Sequence, residues 1–327
     1  MRYQQNYIIH LFYFQIQVIL KQCKSKSILV TISGGQDSIC LIHLFETFIR
    51  YNINDNKQKI EYIYIDHQWK KDSYTQIKHI INYIKFYNRH INIYQIKFIS
   101  MSENISRQYR YHTIVQHAIY HNFHNIVTGH TKTDIIETFL YNLIRGTSLE
   151  GIAGLNKYKK LDYKIYLLKP LNHINRTFLY QLSKKFFLPI WSDITNYNYL
   201  FCRNRMRNEL MPYLKNYFNK NLENQLFSFL KIINNDNEYL KQNTTKIYIE
   251  SIHKYYLALN YLKIKYQHFA LQTRIIQLFF YHNLNISLNY KIYKKMFKLI
   301  NSNTKKKYIL KYYTYKIYIN EYWIYII

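Results

Sequence analysis

The chain is poor in the residues that usually punctuate a fold. Its 327 residues include six glycines, three prolines and three cysteines, and 18 acidic residues stand against 46 lysines and arginines. The cysteines, Cys23, Cys40 and Cys202, form no CxxC pair. Neither a disulfide framework nor a zinc site is indicated, and a reducing compartment fits. No long uninterrupted apolar run is present. Residues 7–20 are apolar but broken by His10, Gln15 and Gln17, and they read as a packed N-terminal helix. No membrane partner and no cleaved leader are expected. The shortage of acids leaves a formal net charge of +28, which points to a polyanionic partner. Composition offers a plainer account of part of that charge. Lys, Asn, Ile and the 38 Tyr all have A/T-rich codons, so some of the lysine excess carries no function.

Scarcity makes the remaining turn-formers informative. Gly34, Gly35, Gly129, Gly146, Gly151 and Gly154 all fall in the first half, in or beside the segments described next. Pro170, Pro189 and Pro212 each sit at an expected element boundary. The length suggests two domains, at roughly 100–200 residues each.

The rest of the chain is arranged around residues 27–51. Ser27–Ile32 is an apolar, β-branched run that reads as a buried strand. Ser33-Gly34-Gly35-Gln36-Asp37-Ser38 follows, and then Ile39, Leu41, Ile42, Leu44, Phe45, Phe48 and Ile49 recur at helical spacing. A strand, a glycine turn and a helix N-terminus bring backbone N–H groups to an anion. Asp37 can cap that helix, or hold a metal ion or an incoming amine. The string lacks the G-K-[ST] of a Walker A loop and is not GxGxxG.

Ile60–Asp66 reads as a second strand, ending in Asp66-His67, where open α/β sheets place ligands. A capping Asp before the next helix explains the pair equally well. Residues 73–87 are predicted helical and Ile91–Ile99 a third strand. Glu103–Asn122 is a helix with Arg107, Arg110 and Tyr111 on one face. Asn125–Gly129 is a short fourth strand, and His130 to Asp134 opens a helix carrying Glu137, Thr138 and Arg145. Asp134 and Glu137 lie one turn apart, suited to a metal ion, to an ammonium group, or simply to the helix dipole. Gly146–Leu155 is a turn, Ile165–Leu168 a fifth strand, and a helix covers about 175–187. Arg203, Arg205 and Arg207 crowd into five residues, a phosphate grip or a solvated helix start. Residues 213–300 read as helices, and Lys307–Ile327 as a hairpin broken near Asn320-Glu321.

Taken together, these segments resemble the tRNA(Ile)-lysidine synthetase family of the ATP-pyrophosphatase (PP-loop) superfamily. Ser33–Ser38 is similar to the superfamily's SGGxDS loop, and Asp66-His67 to the family's strand-end Asp-His. Glu103, Arg107, Arg110 and Tyr111 are similar to its E-x-x-x-R-x-x-R-Y helix. Gly129-His130, Asp134, Glu137, Thr138, Arg145 and Gly146 are similar to its GHxxxDxxET…RG block. Trp191-Ser192-Asp193 with Asn196, and Arg203 to Arg207 with Pro212, are similar to its W-x-D-x-x-N and RNRxR…P stretches. The likeness covers about residues 25–215. Where many members read HHxDD, this chain has His130-Thr131-Lys132-Thr133-Asp134, lacking the second His and the first Asp.

The resemblance implies an α/β fold. A parallel-sheet, adenine-nucleotide alpha-hydrolase-like domain would occupy 1–200, and a mainly helical tRNA-recognition region with a terminal hairpin would occupy 201–327. It implies an ATP-dependent ligase in which ATP adenylylates C2–O of the wobble cytidine of CAU-anticodon tRNA(Ile), and free lysine then displaces AMP. Ser33, Gly34, Gly35, Gln36, Asp37, Ser38, Asp66, His67, Gly129 and His130 would bind ATP, and Asp37 would take Mg²⁺. Asp37, Asp134 and Glu137 would be catalytic, and Arg107, Arg110, Arg145, Arg203, Arg205 and Arg207 would meet the tRNA. A plastid location is expected, with the cytoplasm of an A/T-rich bacterium as the alternative, and a homodimer is a candidate assembly. The rivals are another PP-loop tRNA-modifying ligase and a non-catalytic basic RNA-binding protein. A tRNA thiolase would call for paired or cluster-binding cysteines, and NAD or GMP synthetase chemistry would not call for the basic charge.

Overall fold

A computed structural model describes residues 2–23, 27–52, 59–66, 68, 73–96, 103–152, 158–162, 164–191, 199, 202–301, 308–312, 315–320 and 322–326. Two compact units divide between Lys231 and Ile232. The sequence reading drew its line at 200. Residues 202–231 group with the first unit because Met211 and Phe227 bury against Ile136 of the preceding domain.

The first unit opens with α1 (Arg2–Cys23), which sends Phe12 and Ile16 into the core. A six-stranded sheet follows, in the order β3-β2-β1-β4-β6-β5. Its strands are β1 (Ser27–Ile32), β2 (Lys59–Asp66), β3 (His90–Gln95), β4 (Asn125–Val127), β5 (Tyr158–Asp162) and β6 (Ile165–Leu168). β1, β2, β3, β4 and β6 are parallel, and β5 returns antiparallel along the edge of β6. That edge strand was not expected, since Tyr-Lys-Lys-Leu-Asp has no apolar alternation. The period-two rule divides the strand side chains between two layers. Ile28, Val30, Ile32, Tyr62 and Tyr64 pack with α2 (Gln36–Asn52), α3 (Ser73–Lys85) and α7 (Arg176–Lys185). Leu29, Ile63, Ile65 and Ile126 pack with Ile114 and Ala118 of α4 (Glu103–Tyr120). The remaining helices of the unit are α5 (Lys132–Arg145), α6 (Leu149–Ile152), α8 (Cys202–Arg205) and α9 (Met211–Tyr217), with one π-helical turn, Met206–Leu210, between α8 and α9.

β1 has β2 on one side and β4 on the other, so the chain reverses its direction of travel across the sheet between them. Open α/β sheets bind ligands at the carboxyl ends of strands at such a switch point. The loops 33–38 and 128–131 leave the sheet there.

The second unit holds α11 (Leu262–Lys265), α12 (Phe269–Leu284) and α13 (Tyr290–Asn301), with α10 (Leu222–Ser251) running across the division. Its sheet has the order β7-β10-β9-β8, from Ala258–Asn260, Trp323–Ile326, Tyr315–Ile319 and Tyr308–Tyr312. The expected C-terminal hairpin is thus part of an antiparallel sheet. Asn320 Oδ1 turns the chain by accepting from the N–H groups of Tyr322 (3.1 Å) and Trp323 (2.9 Å). β7, three residues long, carries too little pattern to be read from sequence. Among the described residues no helix is long and apolar enough to cross a membrane.

Candidate active site

Two carboxyl strand ends and two helix starts frame a cavity of about 330 Å³. From β1 and its loop come Thr31, Ile32, Ser33, Asp37 and Ser38, and from β4 and its loop Thr128, Gly129 and His130. α4 contributes Arg107, Arg110 and Tyr111, and the far wall is Asp134, Arg176, Arg203, Asn204 and Arg207.

The loop is shaped before any ligand arrives. Ser33 N–H donates to Ser38 Oγ at 3.0 Å, and the two hydroxyls lie 2.8 Å apart. Gly34 has φ +75°, in the left-handed region, and a Cβ there would lie 2.6 Å from Gln76 Nε2 and 2.7 Å from Ile80 Cδ1. Glycine is therefore needed on both conformational and steric grounds. A Cβ on Gly35 would meet nothing nearer than Ser33 Oγ at 3.9 Å, so the backbone there is open to a close approach. Gln76, buried in α3, donates from its amide to Ser33 O at 3.3 Å and props the turn from behind.

Opposite the loop, three carboxylates meet three arginines. Asp37 Oδ2 accepts from Arg176 Nε at 2.8 Å, and Arg176 Nη2 reaches Asp134 Oδ1 at 3.2 Å. Arg203 Nη2 donates to Asp134 Oδ1 at 3.0 Å. Arg207 grips Glu137 with two parallel bonds, Nε to Oε1 at 2.8 Å and Nη2 to Oε2 at 2.7 Å. This fork-on-carboxylate geometry is the strong form of the contact. Thr131 caps α5, exchanging bonds with Asp134: its N–H donates to Oδ2 at 2.9 Å, and its hydroxyl receives the Asp134 N–H. Thr133 Oγ1 accepts the Arg176 N–H at 3.4 Å. Thr131 and Thr133 thus position the cluster.

Protonation follows from this packing. Burial pushes the Asp37 carboxyl above its ordinary value, and Arg176 opposes it. Burial acts on Asp134 in the same direction, but Arg176, Arg203 and the Thr131 N–H outweigh it and hold that carboxyl low. Burial also works against the charge on Arg176, and Asp134 and Asp37 more than restore it. His130 is pushed down to about 3, chiefly by desolvation and further by Lys169, Arg107 and Arg203 against the pull of Asp134. Its imidazole is neutral at pH 7, with Nδ1 3.0 Å from Thr128 Oγ1. Asp37 Oδ1 is buried without a hydrogen-bond partner among the described residues, so it is the oxygen free to take a cation.

The other expected residues are placed differently. Gln36 turns its amide to Arg176 O at 3.3 Å, away from the cavity wall. Asp66 is buried off the wall, with Oδ1 accepting from Gln68 N–H at 2.9 Å. His67 lies outside the described residues, as do Ser192, Asp193 and Asn196, and nothing is described of the Glu103 side chain. Glu137 sits behind the wall, 1 % exposed. Arg145 and Arg205 are on another surface: Arg145 stacks over Tyr141, and Arg205 pairs with Glu209.

The PP-loop domain family matches residues 10–214. Over 303 residues, 93% of each chain, the sequence is 46% identical to a chloroplastic tRNA(Ile)-lysidine synthase of Gracilaria tenuistipitata var. liui. The chain belongs to the tRNA(Ile)-lysidine synthase family. It is also 38% identical over 265 residues to the chloroplastic enzyme of Pyropia yezoensis, covering 81% of this chain and 79% of that one. To the tRNA(Ile)-lysidine synthase of Nostoc sp. it is 35% identical over 232 residues, covering 70% and 66%. Within this lysidine-synthase site, sequence reasoning missed Arg176 and Gln76. Arg176 lies 139 residues from Asp37, and its one signal was being an arginine, one of eleven in a chain whose usual cation is lysine.

Proposed function

We propose that the chain attaches lysine to C2 of the wobble cytidine in a CAU-anticodon tRNA(Ile), consuming ATP and releasing pyrophosphate and then AMP. The observation that carries this is that one cavity joins a preformed pyrophosphate loop, with Asp37 in it, to Asp134 on the facing wall. The cavity fits an adenylylation followed by an amine attack.

Ser33, Ser38, the Gly34-Gly35 backbone and the N-terminus of α2 would hold the pyrophosphate being expelled. Fixed donors of this kind stabilise charge as it develops. Asp37 Oδ1 would take a magnesium ion, which needs few protein ligands when phosphates supply the rest. Such an ion supplies charge neutralisation on the phosphates. Arg107, Arg110, Arg176 and Arg203 line the space an adenylate phosphate would fill. Asp134 would orient lysine through an ammonium group, and Glu137, behind the wall, would act through Arg207. His130, an imidazole pushed down to about 3, is too weak a base to deprotonate the attacking amine, and serves as a neutral hydrogen-bonding wall.

The chloroplastic relatives support a plastid location. The test is lysine attachment: protein, ATP, Mg²⁺ and labelled lysine are mixed with an isoleucine tRNA transcript bearing CAU, and in parallel with methionine tRNA, which shares that anticodon. Label on the isoleucine tRNA alone is expected. ATP consumption without label on either would return the site to another PP-loop ligase reaction.

A further inference from the structure

A second concavity in the first unit has no part in the reaction chemistry above. It is a groove of about 650 Å³ with Tyr141, Ile144 and Arg145 on one side and Arg205, Leu210 and Tyr213 on the other. Its walls present apolar and aromatic surface: Ile144 is 68% and Tyr213 54% exposed. Arg145 lies 5.3 Å over the Tyr141 ring, and Tyr213 packs on Tyr217 at 4.9 Å. Two guanidinium groups face one carboxylate, Glu209, so the groove is net positive.

α5 makes this groove an extension of the cavity. Asp134, Glu137, Tyr141, Ile144 and Arg145 follow at offsets of three, four, three and one, one stripe along the helix. At about 1.5 Å per residue, the groove opens about 6 Å past Glu137 and ends about 16 Å past Asp134. The opposite wall is divided in the same way. Arg203 and Arg207 face the acids, while Arg205, two residues from each, falls on the other side and faces the groove with Glu209.

We propose that the groove stacks an unpaired anticodon-loop base adjacent to the wobble cytidine. This rests on the proposed reaction and goes further, in saying where the neighbouring nucleotide lies. Chemistry at C2 requires the cytidine to leave the loop's stack. A base next to it then loses a stacking partner, and single-stranded RNA is held by splaying such bases onto aromatic rings and arginine planes. The strand that leaves the cavity along the α5 stripe arrives at Tyr141, Tyr213 and Arg145, which supply both, with the Arg205 cation beside them.

The test measures kinetics and binding with Tyr213→Ala and with Tyr213→Phe as the control that keeps the ring. Tyr213→Ala is expected to raise KM for the isoleucine tRNA about tenfold. kcat should hold, as should the salt slope of binding, because a stacking contact releases no counterions. Tyr213→Phe should behave as wild type. A transcript with an abasic site beside the wobble cytidine should show the same loss, and on it Tyr213→Ala should cost nothing further. An unchanged KM for Tyr213→Ala would overturn the proposal. So would a loss that persists on abasic transcripts at every loop position. A fall in dimer population with RNA binding intact would also overturn it and give the groove to a second copy of the chain. Failure of the wild-type protein to attach lysine would instead sink the reaction, and direct binding of the same transcripts would still decide the groove.

Discussion

Residues 202–213 present two faces that share a cation type and differ in everything around it. On the inner face Arg203 and Arg207 are largely shielded and bonded to Asp134 and Glu137. On the outer face Arg205 is 63% exposed and paired with Glu209, itself 52% exposed. An exposed pair of this kind adds little stability, at most about 1 kcal/mol, whereas breaking a buried pair leaves an uncompensated charge. The inner arginines therefore set the geometry of the acids, and the outer one is free to exchange its partner for a phosphate. The lesson is that three arginines in five residues are not one phosphate grip. Their two-residue offsets on the helix separate them into an inner, bonded pair and a surface contact.

The contrast can be broken most forcefully from the inside. Glu137→Ala strips Arg207 of its fork and should cost about 3–5 kcal/mol of stability. The urea midpoint reads this, and a loss under 1 kcal/mol would mean that the inner network does not bear on folding. Gly34→Ala forces a Cβ into Gln76 and Ile80 at positive φ, and should cost about 1–3 kcal/mol and weaken ATP binding. Calorimetric titration with ATP checks it, and wild-type affinity would show that the loop tolerates a side chain. A further effect is on pH dependence. The folded state resists protonating His130 down to about 3, while the unfolded chain takes that proton near the ordinary 6.5. The stability this contributes is complete above pH 6.5 and is lost as pH falls toward 3. His130→Asn should flatten the stability profile across that window, and parallel profiles would remove His130 as its source.

Much of the inner face was legible in the sequence. Ser27–Ile32, the glycine pair and the helix after it are local signals, and Gly34, at positive φ, marks a backbone requirement. The offset of Asp134 and Glu137 correctly put both on one side of α5. What was hidden depends on tertiary meeting. Arg176 joins three carboxylates from two other segments, and no local pattern announces that. The π-helical turn at Met206–Leu210 was hidden as well, since Met-Arg-Asn-Glu-Leu carries no signature of one. The edge strand Tyr158–Asp162 and the three-residue β7 were missed because each is specified by its neighbour's hydrogen bonds rather than by its own side chains.

The most direct measurement compares Arg203→Ala with Arg205→Ala, following kcat for lysine attachment and the salt dependence of tRNA affinity in the same preparations. Arg203→Ala should lose kcat by about 10²–10³, as removal of a preorganised electrostatic group does, with the salt slope intact. Arg205→Ala should keep kcat and lower the slope by about one, the signature of a lost phosphate contact. If both variants lower the slope and spare kcat, the two faces are one RNA grip, and the division between them is wrong.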